Sequence, residues 1–468
     1  MNKYKKLVAN TAIFGISTFS SKVLVFLLMP LYTSVLSQGE YGVIGLMVQA
    51  GNLIIPFVTL GVINAIIRFG LDAREDKDNV FSTAIYTTTI CFAIFCLTLP
   101  VWRHISAPPF GYISPYIVYV YIFVFTSAMR SICAQFVRSK QHIKLYAIDG
   151  IISTITTIAF TVWFLVGLKM GIVGYVLAII CSDACSVIFL FIAAKLHKNL
   201  TLNLDIKASK QMILYAIPLI STTVCWWITT ASDHFMVAGF CGDAMNGLYE
   251  VSYKVPTVII LISGIFMDAW QVSAVTEEEE TPDFFTKVFG VYQTVIFIGA
   301  ALLIAFAKLA TKILVSDAFY PAWQFMPLLI CATVFSCMLT FFGTIYMLKK
   351  RSVASMVTMV IGAAANVILN LILIPKWGAN GAALATFISY FIIFAMRAFD
   401  TKRLLKFKWS LTKILVNTCI LVLQTVIMIL ELKNWMIYEA ICVLAMILLN
   451  FKNLLGIKNI LKLKLPSR

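Results

Sequence analysis

The residues that could do chemistry in this chain are ionisable groups set inside long apolar runs. Lys22 shares a helical stripe with Thr11, Thr18, Met29 and Thr33, and Arg130 closes a second made of Tyr116, Tyr119, Phe123 and Thr126. Thr222, Trp226, Thr229 and Asp233 form a third with His234 beside it, and Glu250, Lys254, Thr257, Leu261 and Asp268 a fourth. Such offsets keep side chains on one helix face. A charge held at the centre of a bilayer costs at least ~3 kcal/mol, so each one needs a reason to be there. Lys22, Arg130 and Lys254 suit an anionic group such as a lipid diphosphate, which accepts charge-assisted hydrogen bonds. Asp149 and Asp183 also sit inside apolar runs. Either would carry a coupling cation, H⁺ or Na⁺, or bond one helix to another.

Plainer readings stand beside these. Glu250 and Lys254 are four residues apart and can neutralise each other. Arg68, Arg397 and Lys308 lie near the ends of apolar runs, where long side chains snorkel to the interface. A lone histidine such as His234 packs more often than it relays protons. Asn366 and Asn370, one turn apart, are expected to bond helix to helix. Pro30, Pro56, Pro218, Pro256 and Pro327 fall within apolar runs and would bend helices. Cys181 and Cys185 have no His or further Cys to complete a metal site and read as small packing residues. No metal or cofactor is expected.

The elements that must position these groups are membrane helices. The chain is 61% hydrophobic with a mean hydropathy of +0.92, which leaves too little polar surface to cover a soluble domain. About 20 apolar residues cross the hydrocarbon core as a helix, and that length recurs about fourteen times between residues 10 and 451. The eighth run, 243–273, reads as a span with Pro256 inside it. The runs lack the short alternation of a membrane β-barrel. Met1 to Lys6 is basic and leads into an apolar stretch too long for a cleaved signal peptide, so it reads as the start of the first span.

A net charge of +16 would point to nucleic acid in a soluble protein. Here the placement of Lys and Arg carries more information, because they accumulate in cytoplasmic loops. With the N-terminus inside, the outer loops hold only Arg103, Lys169, Lys308, Lys312, Lys376 and Lys433. Both termini are therefore expected in the cytoplasm, with basic loops touching lipid headgroups. No nucleic-acid partner is implied. Polar stretches are short: the longest are 195–211 and the acidic turn at Glu277–Glu280. Membrane enzymes that act on exported sugars usually carry a large outer loop with acid–base groups, and none is visible.

An internal repeat sets the organisation. The run from Lys169, Lys-Met-Gly-Ile-Val-Gly, reads against Lys-Trp-Gly-Ala-Asn-Gly from Lys376. The stretch from Ser37 to Gly42 corresponds to that from Gly242 to Gly247. An even number of spans separates the copies, so the halves share one orientation, a common way to build a transporter. The expected domains are a six-helix lobe over 1–195, a cytoplasmic linker at 196–210, a second six-helix lobe over 211–400, and two further helices with a basic tail over 401–468.

Specific runs resemble a known family. Ser20-Ser21-Lys22, Pro30-Leu31-Tyr32-Thr33 and Glu40-Tyr41-Gly42 are similar to the opening of Wzx-type polysaccharide-repeat flippases. That family sits in the multidrug/oligosaccharidyl-lipid/polysaccharide exporter superfamily. Tyr253 to Pro256, Ala269 to Ala274, and Asn366 to Pro375 with Gly378 and Gly381 resemble it as well. The resemblance spans roughly residues 5–400. It implies an all-α membrane fold like that of multidrug exporters, with two pseudo-symmetric lobes alternating between inward-open and outward-open states. The implied cargo is an undecaprenyl-diphosphate-linked oligosaccharide, and the implied partners are the glycosyltransferases and polymerase of its pathway. Lys22, Arg68 and Lys254 occupy family-like positions for a cationic cavity. Where many relatives carry an Asp-Arg pair, this chain has Asp233-His234, so a permanent charge becomes a titratable one. Rival readings are a peptidoglycan lipid-precursor flippase, a cation-coupled multidrug exporter, a polysaccharide polymerase or ligase, and a membrane scaffold.

Overall fold

The computed structural model describes residues 28–71, 75–202, 205–276, 282–349 and 351–462, and every regular element among them is helical. The main helices are α1 (Gln38–Val58), α2 (Val62–Gly70), α3 (Lys77–Cys96), α4 (Ile117–Ser139), α5 (Ile143–Thr161), α6 (Gly171–Ala193) and α7 (Ile206–Cys241). They continue with α8 (Asp243–Ser252), α9 (Thr257–Thr276), α10 (Pro282–Ala305), α11 (Met326–Leu348), α12 (Ser352–Leu404), α13 (Leu411–Ile429) and α14 (Trp435–Lys462). Short helical turns fill the connections.

Polarity along α5 shows which solvent these helices face. The residues it buries are Asp149, Ser153 and Thr161. Ile148, Ile151 and Ile155 are exposed. A helix in water does the reverse. With hydrocarbon outside, backbone groups are satisfied within the helix and polar side chains turn toward other helices. The chain is a multi-pass membrane protein.

Among the described residues, eleven helices are long and apolar enough to cross a bilayer, or twelve if α8 and α9 make one bent span. One of the eleven is α12, with 53 residues, which would run about 80 Å if straight. It turns back at Gly378 (φ 55°, ψ −137°), a backbone conformation open in practice only to glycine. Its two arms then pack on each other. Asn366 donates to Thr386 at 3.4 Å, and a side chain on Gly362 would lie 2.1 Å from Ile393. The first span of the fourteen expected lies mostly outside the described residues.

The repeat read from sequence has a shared local conformation. Gly171, the counterpart of Gly378, has φ 54°. Three residues on, Gly174 and Gly381 each lie under a carbonyl of the preceding helix, that of Phe164 and that of Leu373. Both copies thus end one helix and begin the next in the same way.

The run 243–273 is two helices, α8 and α9, bent by 44°. Pro256 has no N–H to donate, and its ring crowds the carbonyl of Ser252, the last residue of α8.

By packing, the chain forms two compact units, residues 1–247 and 248–468. The helix after the 196–210 segment, α7, packs with the first unit. That unit has a core in which Phe81 stacks on Phe136 at 4.6 Å, ringed by Val62, Ile66, Ile132 and Leu190. The start of α1 is a capping box. Ser37 accepts from the Glu40 N–H at 3.3 Å, and the Glu40 carboxylate accepts from the Ser37 N–H at 2.9 Å. The Ser-x-x-Glu of the family-like run is therefore a helix start. The second unit is built around the buried α11. An aromatic cluster of Trp270, Phe285, Phe289, Phe341, Phe342, Phe394 and Phe407 fills its core. The last two helices join it through polar contacts: Asn417 and Asn450 bond each other, and Asn453 donates to the Gly290 carbonyl of α10.

Candidate ion and substrate sites

In the first unit, α4, α5 and α6 bring one cation and two carboxylates together. Arg130 donates to Asp183 at 3.0 Å and lies 3.9 Å from Asp149. Ser127, one turn before Arg130, donates a second hydrogen bond to Asp183. Both aspartates are almost fully buried, whereas the Arg130 side chain is 31% exposed. Asp183 is satisfied. Asp149 reaches the guanidinium only at 3.9 Å, and the Ser186 hydroxyl of α6 lies beside it. An isolated buried charge is strongly unfavourable, and pairing makes the cluster possible. Two carboxylates against one guanidinium leave one excess negative charge.

A run of hydroxyls extends from this cluster along the seam between α5 and α6. Ser182 donates to the Ser153 carbonyl at 2.9 Å, and Thr156 and Thr157 meet the Ser182 hydroxyl at 2.9 and 2.8 Å. None of these hydroxyls is among the candidates read from the sequence. Ser153, Thr156 and Thr157 do recur at helical spacing after Asp149, and that was the available signal.

The other sites are distributed. Asp233 and His234 are fully buried in α7. His234 Nδ1 lies 3.2 Å from the Asn246 side-chain oxygen, and Asn246 in turn donates to the Gly42 carbonyl at 2.9 Å. The imidazole is thus engaged with the start of α8. Arg68 is exposed in the last turn of α2. In the second unit, Lys254 sits in the break between α8 and α9 and pairs with Glu250 at 2.5 Å. Lys22 and the side chain of Asp268 lie outside the described residues.

Arg397 departs from its expectation. It does not snorkel: it is 4% exposed. Its guanidinium donates to Thr358 at 3.0 Å, to the Leu339 carbonyl at 2.9 Å, and to both oxygens of Ser355 at 3.2 and 3.1 Å. Lys308 is held between the rings of Trp323 and Trp435, at 4.1 and 4.7 Å, and pairs with Glu431 at 2.6 Å. Asn370 donates to Asn366 at 3.1 Å within one arm of α12, and the bond between helices is the one from Asn366 to Thr386.

Comparison with known proteins places this architecture. The model of a family described as polysaccharide biosynthesis protein matches residues 7–271, more than half of the chain. The chain belongs to the polysaccharide biosynthesis protein family. An uncharacterized membrane protein of Methanocaldococcus jannaschii is 23% identical to this family member over 418 residues, covering 83% of the chain and 96% of its own length. Among solved structures, the lipid II flippase MurJ in an inward closed conformation aligns with a TM-score of 0.70. It is 16% identical and covers 94% of this chain and 98% of its own. An inward-facing multidrug resistance MATE family transporter aligns with a TM-score of 0.65 at 13% identity, covering 82% of this chain and 96% of its own. The family member therefore shares the all-helical fold of these two transporters.

Proposed function

We propose that the protein is a flippase that moves a polyprenyl-diphosphate-linked oligosaccharide across a bacterial cytoplasmic membrane by alternating access. Both termini lie in the cytoplasm in this reading, and the glycosyltransferases and polymerase of a surface-polysaccharide pathway work beside it. The observation that carries the proposal is the combination of a polysaccharide-biosynthesis family match with a fold shared, over 94% of the chain, with a lipid II flippase. Lys254 supports it by position. Broken membrane helices are where transporters of this kind bind substrate and ions, and Lys254 lies in such a break. Its ammonium binds the diphosphate in this reading, and the exposed guanidinium of Arg68 is a cation of the first unit. Arg130 is assigned to its aspartates rather than to substrate.

A cation-coupled exporter is the second reading, favoured by the paired carboxylates Asp149 and Asp183. Reconstitution in vesicles with a defined undecaprenyl-diphosphate glycan, with lipid II, and with an organic drug cation separates the readings. Movement of the first alone is expected, and movement of only the drug cation overturns the proposal.

A further inference from the structure

The last two helices lie outside the internal repeat, and near the turn that joins them they are fastened by a carboxyl group with no cation. Glu439, one turn into α14, is 2% exposed, although Met436, Ile437, Tyr438 and Ile441 around it all face outward. Its Oε2 accepts from Gln424 Nε2 of α13 at 2.7 Å, and the same nitrogen donates to the Ala301 carbonyl of α10 at 3.2 Å. A side-chain amide has two N–H donors and one acceptor oxygen, so both donors of Gln424 are used and only its oxygen is left. That oxygen is buried without a donor, and so is Glu439 Oε1. Buried polar atoms are almost always hydrogen-bonded, and here two acceptors on one contact lack the same thing, a hydrogen. Among the described residues no ion pair reaches Glu439. Lys308, which approaches the Trp435 ring one turn away, is held by Glu431.

We propose that Glu439 and Gln424 form a buried site for one proton, carried on Glu439 Oε1 and donated to Gln424 Oε1. One hydrogen then satisfies both oxygens. The acid O–H is the donor that the amide oxygen lacks, and the carboxyl sheds a charge that hydrocarbon disfavours. Loading forms one O–H bond with a proton from solvent, and unloading breaks it and returns H⁺. The groups around Glu439 are Cys442 on its own helix, Gln424 on α13 and the Ala301 carbonyl on α10, and none of them is a cation. With the proton in place, three hydrogen bonds join α10, α13 and α14 at this point instead of two. Deprotonation removes the third and sets a carboxylate against the amide oxygen, so the clasp on the C-terminal helix pair loosens as pH rises. The site concerns how that pair is held and is independent of the cargo.

Full-length protein in lipid vesicles is compared with Glu439→Gln by infrared spectroscopy at neutral pH, in light and in heavy water. The wild type should show a carboxylic-acid C=O band that shifts in heavy water and is missing from the variant. Gln424→Leu removes the acceptor of the acid hydrogen, so it should keep the band and move it to higher frequency. If Glu439→Gln does not fold, that shift carries the test. In thermal melts the wild type should lose stability relative to Glu439→Gln as pH rises, because the unfolded acid ionises while the folded one must keep its proton, and an amide does neither. A wild-type spectrum identical to that of Glu439→Gln in the acid region overturns the site and makes Glu439 an ionised carboxylate. A band that Gln424→Leu leaves unmoved overturns the bond between acid and amide.

Discussion

Gly42 and Gly247 hold equivalent places in the two copies of the repeat, and each lies over a carbonyl of the other copy. A side chain on Gly42 would come 2.0 Å from the Asp243 carbonyl oxygen, and one on Gly247 would come 1.9 Å from that of Gln38. Gln38 and Asp243 are themselves equivalent positions, each four residues before its glycine. The contact is reciprocal, as in a two-fold symmetric interface, but lies within one chain. Asn246 locks it by donating to the Gly42 carbonyl.

That contact should not survive a methyl group. Backbone meets backbone, so no side chain can swing away, and overpacking of this kind costs about 2 kcal/mol, a factor of roughly thirty in population. Paired cysteines from Gly39→Cys and Asp243→Cys should cross-link efficiently, since the Asp243 carboxylate lies 3.0 Å from a Cβ built at position 39. Adding Gly247→Ala should sharply lower the cross-linked fraction. An unchanged fraction would show that the helix starts can part slightly without consequence.

Removing Arg130 should harm the fold more than removing either aspartate. Arg130→Gln leaves two buried carboxylates without a counter-charge, and breaking a buried pair costs about 3–5 kcal/mol. The folded, membrane-inserted fraction should fall. Adding Asp183→Asn should recover a large part of it, and a double-mutant cycle on thermal stability measures the coupling. Additive losses would mean that Arg130 and Asp183 act independently.

Gly378→Ala should lower the yield of folded protein, because its backbone conformation costs other residues of order 1–3 kcal/mol. Gly171→Ala should do the same through its positive φ. Size-exclusion profiles of detergent-solubilised protein report both. Wild-type yields from either variant would show that the helix pairs can turn by another route.

The Glu250–Lys254 pair separates structure from transport. Exchanging the two, Glu250→Lys with Lys254→Glu, keeps the ion pair and should keep insertion and thermal stability. Flipping of a diphosphate-linked glycan should nevertheless fall at least tenfold, a barrier change of about 1.4 kcal/mol, because the ammonium has left the helix break. Full activity of the exchanged pair would assign both residues to the fold alone.

Much of this architecture was legible because membrane helices announce themselves by length and composition. The repeat was legible because its glycines are demanded by backbone geometry, and geometry of that kind survives in residue identity. What neighbouring helices do to one another was not. The stripe through Arg130 shows which face of α4 it shares with Phe123 and Thr126, yet nothing in that spacing says that Asp149 and Asp183 come from α5 and α6 to meet it. The break at Pro256 falls at a proline read as a bend, although the apolar run continues past it. Arg397 was misjudged for a related reason. Its partners are the Leu339 and Ser355 carbonyls and two hydroxyls, and such acceptors have no sequence signature. The exposed end of α2 carrying Arg68 was read correctly as the edge of an apolar run.

The Arg397 contacts also limit how the second unit can deform. Its guanidinium ties together α11 through Leu339, the first arm of α12 through Thr358 and Ser355, and the second arm that carries it. Tyr346 beneath it adds a ring at 5.7 Å and donates to Asp400 at 2.7 Å, stitching α11 to the second arm again. Sliding any one of these segments past the others would strand a buried positive charge, so under load the three behave as a single beam. Compliance is then left to places with fewer such ties, such as the bend at residues 253–256.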